Sequence, residues 1–410
     1  MTPRPGTPAW LSAEYDRLMS FGADGDPGSY LDDRGRTDTR SSTFTWIAAR
    51  MTHVHSLGAI RGRDAGRAYA QAALDKLRTD LHDDRHGGWH PAIRPDGTAE
   101  AGKSCYDHAF VMLAASSALT AGLEGAQQLL TESASVYLDK FWDASVGRPR
   151  DAWDSSFSTC EEYRGLNSTM HSVEALLAVA DTVEISKTPA MSELGGGAEA
   201  WRERARTACE FVIDLARAHG NRLPEHFDAS WSADLEYNSD KQDDPFKPYG
   251  ATPGHGFEWA RLLLHAEATG EPDDRTLAAA VALFDQARKA WGADGHDGFV
   301  YTTDWDDRPV VTRRMHWVAV EAINTAYALH ERTGDSSYGD LYDEWWAYAA
   351  DAFIDAENGS WHHELAPDGT PEATVWPGKP DLYHTVQATL LPVAGLKRSF
   401  ARALRQTEGS

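Results

Sequence analysis

Four histidines sit where a loop runs into a stretch with helical apolar spacing. They are His171 in Asn167-Ser-Thr-Met-His171-Ser-Val-Glu174, His255 in Pro253-Gly-His255-Gly-Phe-Glu258, His316 in Arg313-Arg-Met-His316-Trp317, and His384 in Lys379-Pro-Asp-Leu-Tyr-His384. An imidazole gives or takes a proton near neutral pH, and the first turn of a helix holds it at a fixed height. Glu174 and Glu258 each follow a histidine by three positions, so the two side chains share a helix face. A carboxylate there orients the imidazole or binds a substrate hydroxyl. The pattern points to proton transfer on a small polar substrate, with His255 and His384 as first choices because Pro253 and Pro380 fix their helix starts. The competing reading of any one histidine is a structural cap. Metal binding is the other competitor, but the Glu-x-x-His order of dinuclear helical sites is reversed here.

Arg50 follows Trp46 by one helical turn. A guanidinium beside an aromatic wall holds sugar hydroxyls or a developing oxyanion, while the ring stacks on a sugar face. Spacing alone equally suits a surface arginine beside a core tryptophan.

The elements that must position these groups are helices. Apolar residues recur at helical spacing over 8–22, 43–60, 64–82, 104–122, 125–142, 168–186, 198–219, 254–270, 273–291, 314–333, 336–356 and 381–404. Short breaks such as Thr269-Gly-Glu-Pro-Asp273 and Thr333-Gly-Asp-Ser336 supply glycine for a left-handed cap and Asp or Ser for the next helix start. Short breaks make antiparallel neighbours. The connections 83–103, 143–167, 220–253, 292–313 and 357–380 are longer. Short on one end and long on the other describes a ring of helical hairpins.

An internal repeat agrees. Gly87-Gly-Trp89-His90 and Pro95-Asp-Gly-Thr98 match Gly359-Ser-Trp361-His362 and Pro367-Asp-Gly-Thr370 at an offset of 272, and Gly102-Lys103 with His108 matches Gly378-Lys379 with His384 at 276. Gly298-Phe-Val-Tyr301 with Asp304 to Pro309 is a looser third copy. The Asp-Gly dipeptides predict β-hairpins in the long loops. By this alignment His108 is structural. The expectation is an all-α toroid, an (α/α)6 barrel of six hairpins, with long loops and short β-hairpins over one face and residues 1–410 as a single domain.

Composition narrows the partners. Thirty-nine Lys and Arg against sixty-three Asp and Glu give a net charge of −24. So acidic a surface repels phosphate backbones and anionic membranes, and excludes nucleic acid. No apolar run reaches the ~20 residues of a membrane span. Three cysteines, Cys105, Cys160 and Cys209, have no metal-like spacing and argue for a reducing compartment. A cytoplasmic location and a monomer or homodimer are expected. Phosphate loops, dinucleotide fingerprints and nucleophile elbows are absent, so no cofactor is expected. Some of the fifteen tryptophans are expected as stacking platforms in a cleft.

Taken in order, Trp46-x-x-x-Arg50, Tyr106-Asp-His108-Ala-Phe110, Asn167-x-x-x-His171, Pro253-Gly-His255-x-x-Glu258-Trp259, Trp317-x-x-x-Glu321 and Lys379-x-x-x-Tyr383-His384 resemble the N-acylglucosamine 2-epimerase superfamily from about residue 40 to 400. Arg50, His53, Ser56 and Leu57, with Glu161-Glu-Tyr-Arg-Gly165, resemble its bacterial hexose isomerase branch, whose substrates include mannose and sulfoquinovose. The resemblance implies an (α/α)6 barrel and sugar interconversion at C1 and C2 without metal or nucleotide. It implies His255 and His384 as the catalytic pair, and Arg50, Trp46, Tyr106, Asn167, His171, Glu258, Trp317 and Glu321 as the sugar-binding set. Aldose–ketose isomerisation of mannose and fructose, or of lyxose and xylulose, is the expected activity, through a cis-enediolate. His384 is preferred for the carbon acid.

Alternatives stay open. A 2-epimerase shares the enediolate and differs in where the proton returns. A sulfoquinovose isomerase needs a basic pocket, for which Arg164, Arg313 and Arg314 in cleft-facing loops are candidates. A glycoside hydrolase on the same barrel would recruit two carboxylates among Asp154, Glu161, Glu162 and Asp304. A sugar-binding protein without turnover is the remaining class.

Overall fold

How each helix distributes its apolar residues decides which layer of the fold it joins. The computed structural model describes residues 3–186, 188–375 and 377–407. Among these the helices are α1 (Pro8–Ser20), α2 (Thr45–Ile60), α3 (Asp64–Arg78), α4 (Cys105–Thr120), α5 (Ala126–Val136), α6 (Leu166–Glu184), α7 (Pro189–Ser192), α8 (Ala198–Ala218), α9 (Pro253–Ala268), α10 (Asp274–Ala287), α11 (His316–Thr333), α12 (Ser336–Ala352), α13 (Tyr383–Ala394) and α14 (Phe400–Thr407). Every residue of α2 is buried. Its hairpin partner α3 buries one stripe, Gly66, Tyr69, Ala70, Ala73, Leu74 and Leu77. A helix apolar on all sides belongs inside and an amphipathic one outside. By that rule α2, α4, α6, α9, α11 and α13 form an inner ring, and α3, α5, α8, α10, α12 and α1 the outer one. The architecture is the (α/α)6 barrel the sequence predicts.

The sixth hairpin joins the two ends of the chain. Helix α1 packs on α13, and Trp10 meets Trp346 edge-on at 5.1 Å. The Trp361 indole donates to Glu14 Oε1 at 2.7 Å, and Arg17 donates to the Ser360 carbonyl at 3.1 Å. The expected last helix, 381–404, is two: Pro392 lies in the final turn of α13 and Gly395 ends it at φ +67°. The second piece, α14, turns back against α2, α4 and α6. The predicted caps Asp273 and Asp335 accept from the backbones of α10 and α12. Among the described residues no helix is long and apolar enough to cross a membrane.

Short strands pin the start of each inner helix to the next long loop. Thr43–Phe44 pairs with Ala92–Ile93, Lys103–Ser104 with Ala152–Trp153, Arg164–Gly165 with His226–Phe227, and Arg314–Met315 with Glu364–Leu365. Ala251 bridges Thr303, and the Lys379 N–H donates to the Leu31 carbonyl. Thr45, Cys105, Leu166 and His316, first residues of their helices, donate their N–H to the same loops at 2.7–3.1 Å. These are donors a helix cannot satisfy internally. Pairing across hairpins therefore sets six helix starts at one height. The predicted hairpin turns at Asp96-Gly97 and Asp368-Gly369 are present, closed by Arg94 on Thr98 and Ala366 on Thr370.

Candidate active site

With six starts held level, the second residue of each inner helix looks across a common space. Trp46, Tyr106, Asn167, Trp317 and His384 occupy that position, and His255 is third in α9 because Pro253 takes the first place. All six line one cavity, together with Arg50, His171 and Glu258 a turn deeper. Loop residues Phe246, Tyr301, His363 and Asp381, with His316 at the head of α11, complete its wall. Of the ten residues proposed from sequence, nine face this cavity. Glu321 does not; it stands behind His384.

Two imidazoles flank Trp317, with ring centroids 5.1 Å (His255) and 5.9 Å (His384) from the indole. His255 Nδ1 donates to Glu225 Oε1 at 2.9 Å, and His384 Nδ1 donates to Glu321 Oε1 at 3.0 Å. A carboxylate on Nδ1 selects the tautomer whose Nε2 carries a lone pair. Both histidines are thus set up as bases. Burial, Arg50 and His316 push the His384 pKa well below the ordinary value, so this imidazole is neutral at neutral pH.

Beneath them lies a charged floor built on Arg261. Its Nε bonds Glu321 Oε2 at 2.8 Å, and its Nη2 stands 3.5 Å from Glu258 Oε1. Glu174 accepts from Gln387 at 2.9 Å and from the Tyr383 hydroxyl. One guanidinium cannot neutralise three buried carboxylates. Burial and the neighbouring Glu321 push Glu258 well above the usual carboxylate range, which favours its protonated form relative to an exposed glutamate. Burial also raises Glu174, but the His171 imidazole and Arg261 outweigh it and hold the group below that range. His171 Nδ1 lies 3.8 Å from Glu174 and 3.9 Å from Glu258, without a hydrogen bond to either.

Arg50 is buried, not on the surface. Its guanidinium lies 4.9 Å from the Trp46 ring centroid, 4.5 Å from Phe110 and 4.7 Å from Tyr383. It pairs with Asp381 Oδ2 at 3.1 Å and donates to the Tyr106 hydroxyl at 2.8 Å. A cation caged by rings and one acid stays charged and fixed, ready for an oxyanion.

The arginines expected to face the cleft do not line it. Arg314 is buried in a bidentate pair with Asp294, Arg313 pairs with Glu364 and Glu372, and Arg164 donates to the Glu161 and Tyr163 carbonyls. The carboxylates a hydrolase would need are also elsewhere. Asp154 and Asp304 cap turns of their own loops, and Glu161 and Glu162 are exposed. His108 is structural: its Nδ1 donates to the Ser104 carbonyl, and its Nε2 accepts from the Trp89 N–H. Cys105 is buried against Ser172. Among the described residues no group of three or more His, Cys, Asp or Glu is arranged to hold a metal ion.

The sequence profile of N-acylglucosamine 2-epimerase (GlcNAc 2-epimerase) matches residues 28–388. The chain belongs to this family. It is 44% identical over 412 residues to a D-mannose isomerase of Thermobifida fusca, covering 98% of each chain. It is 41% identical to a D-mannose isomerase of Pseudomonas cannabina pv. alisalensis, covering 98% of this chain and 96% of that one. A crystal structure of a D-mannose isomerase superposes with a TM-score of 0.84 at 25% identity, over 94% of this chain and 98% of that one. Within this GlcNAc 2-epimerase family framework, Glu225, Arg261, Asp381, Phe246 and His363 are among the site residues the sequence reading did not single out. Glu225 had one signal: it lies in the long loop 220–252, in Leu223-Pro-Glu-His-Phe227.

The buried imidazoles of this family member carry a stability consequence. Burial lowers His53, His171, His265 and His316 to about 4, and His55 and His108 to about 3. The unfolded chain takes up these protons near pH ~6.5, whereas the folded protein resists until far lower. Below that point the unfolded state binds more protons, so stability falls as pH falls. The melting temperature is expected to drop steadily from pH ~6.5 to ~4. A flat profile over that window would contradict the buried neutral imidazoles.

Proposed function

We propose that the protein is a sugar isomerase that interconverts D-mannose and D-fructose, with the whole chain acting as one catalytic domain. The observation that carries this reading is the pair of imidazoles beside Trp317, each with Nδ1 committed to a glutamate and a bare Nε2. The relatives named D-mannose isomerase support the substrate. Among the described residues Arg50 is the one arginine or lysine on the wall, which favours an unmodified sugar over a sulfonate.

One histidine opens the ring by moving a proton between O1 and the ring oxygen. The other, His384 in this reading, takes the proton from C2. That electron pair forms the C1=C2 bond, and the negative charge moves to O1, giving the cis-enediolate. Return of the proton to C1, with the O2 proton passing to O1, leaves the C2 carbonyl of fructose. Arg50 supplies donors to the enediolate oxygens, and Glu258 faces the sugar hydroxyls beside it. Trp317 and Trp46 offer faces to the sugar carbons. Lyxose presents the same C1 to C3 arrangement, so xylulose is the expected product from it.

The test is incubation of chelator-treated protein with D-mannose in D2O, followed by NMR. Fructose is the expected product, with rate unchanged by EDTA. Glucose alone would replace this reading with 2-epimerisation. No turnover, or a loss restored by a divalent ion, would defeat the mannose or the metal-free part respectively.

A further inference from the structure

Lys103 and Lys379 are each 1% exposed, which a lysine tolerates only when paired. Their surroundings match. Lys103 Nζ bonds Asp83 Oδ2 at 2.8 Å and lies 5.6 Å from the Phe157 ring centroid. Lys379 Nζ bonds Asp355 Oδ2 at 2.7 Å and lies 5.5 Å from Phe21. Each aspartate uses its other oxygen to accept two backbone N–H groups of its own loop, Arg85 and His86 or Glu357 and Asn358. In a sister loop Arg314 grips Asp294 in the same place, directly before α11. The repeat seen in sequence is therefore a repeated clamp between a long loop and the chain entering an inner helix.

The two lysine clamps differ in what they hold. Lys103 leads into α4, where His108 has both ring nitrogens occupied. Lys379 leads into α13 through Asp381, the partner of Arg50, to His384 with its free Nε2. Four residues separate the clamped ammonium from that imidazole.

We propose that Lys379, held by Asp355, is a positioning residue for proton transfer, setting where His384 and Asp381 stand over the sugar. This rests on the isomerase reading above. Misplacement of a reacting group by about 1 Å costs on the order of a hundredfold in rate, so a fixed entry to α13 matters in a way that a fixed entry to α4 does not.

Lys103 supplies an internal control with the same burial, aspartate and ring, while Lys379 Nζ also donates to the Gly359 carbonyl at 2.7 Å. Lys379→Met and Lys103→Met strand equivalent aspartates and are both expected to lower Tm, Lys379→Met somewhat more because it also strands the Gly359 carbonyl. Lys379→Met is expected to lower kcat on mannose by at least about tenfold with KM changed little. Lys103→Met should leave kcat within about twofold. Adding Asp355→Asn to Lys379→Met should recover stability but not kcat. If the methionine variant fails to fold, Lys379→Arg replaces it, since Arg314 fills the sister clamp, and its longer head should still lower kcat. The imidazole resonances of His384, identified by their loss in His384→Ala, should shift on changing Lys379 and not on changing Lys103, whatever sugar is turned over. Equal kcat losses in both variants, or unshifted His384 resonances, would overturn the proposal. Absence of mannose turnover in the wild type would instead remove the isomerase reading, and the resonances would still decide the clamp.

Discussion

His384→Ala and His255→Ala are each expected to lower kcat for mannose–fructose interconversion by about 10³-fold, within the range a positioned acid–base group supplies. The melting transition should move by no more than about 2–4 °C, the equivalent of roughly one hydrogen bond. The small stability cost follows from the geometry. Each histidine gives up one side-chain bond, and Glu321 keeps Arg261 as partner when His384 is removed. Glu225→Gln and Glu321→Gln should cost less, because an amide oxygen still accepts from Nδ1 but no longer raises the basicity of Nε2. The pH profile is a separate check. With the His384 pKa held below ordinary by burial, Arg50 and His316, kcat/KM should stay level down to pH ~6.5 and fall only in acid. An acid limb above that point, or near-normal kcat in either alanine variant, would remove the residue from the pair.

Much of this arrangement is written locally in the chain. The inner helices start with a loop-to-apolar transition that carries its cavity-lining residue within three positions, so Trp46, Tyr106, Asn167, His255, Trp317 and His384 stand out by place as well as type. The ring itself follows from alternating short and long connections. What a linear reading misses are partners made by closure. Glu225 lies thirty positions before His255, and nothing local marks it from other loop acids. Arg261 follows Glu258 by three, which reads as an ordinary surface pair until all its neighbours are known to be buried. Arg50 is ambiguous for the same reason: its cage is assembled from α2, α4 and α13. The split of the last predicted helix could be read from Pro392 and Gly395, but apolar spacing on both sides bridges the break.

Arg261→Leu is expected to be the most disruptive single change in the floor of the site. The leucine fills part of the volume but leaves Glu174, Glu258 and Glu321 buried without their shared cation. Breaking a buried pair in this way costs about 3–5 kcal/mol. The direction of its pH dependence separates charge from packing. Without the guanidinium, Glu174 loses a charge that offsets its burial and its folded-state pKa rises above the unfolded value of ~4.3, so the folded state binds more protons than the unfolded one between the two. Stability then falls as pH rises through that window. The deficit of the variant against wild type should therefore be largest at neutral pH and shrink on acidification, while wild type weakens in acid as its buried histidines protonate. A deficit independent of pH would mean that Arg261 acts through packing alone. Turnover should be lost with stability, because Glu321 is the group that holds His384 Nδ1. Freed of Arg261, that carboxylate loses the bond that fixes it under the imidazole, so the same substitution removes both the balance of the floor and the orientation of the base above it.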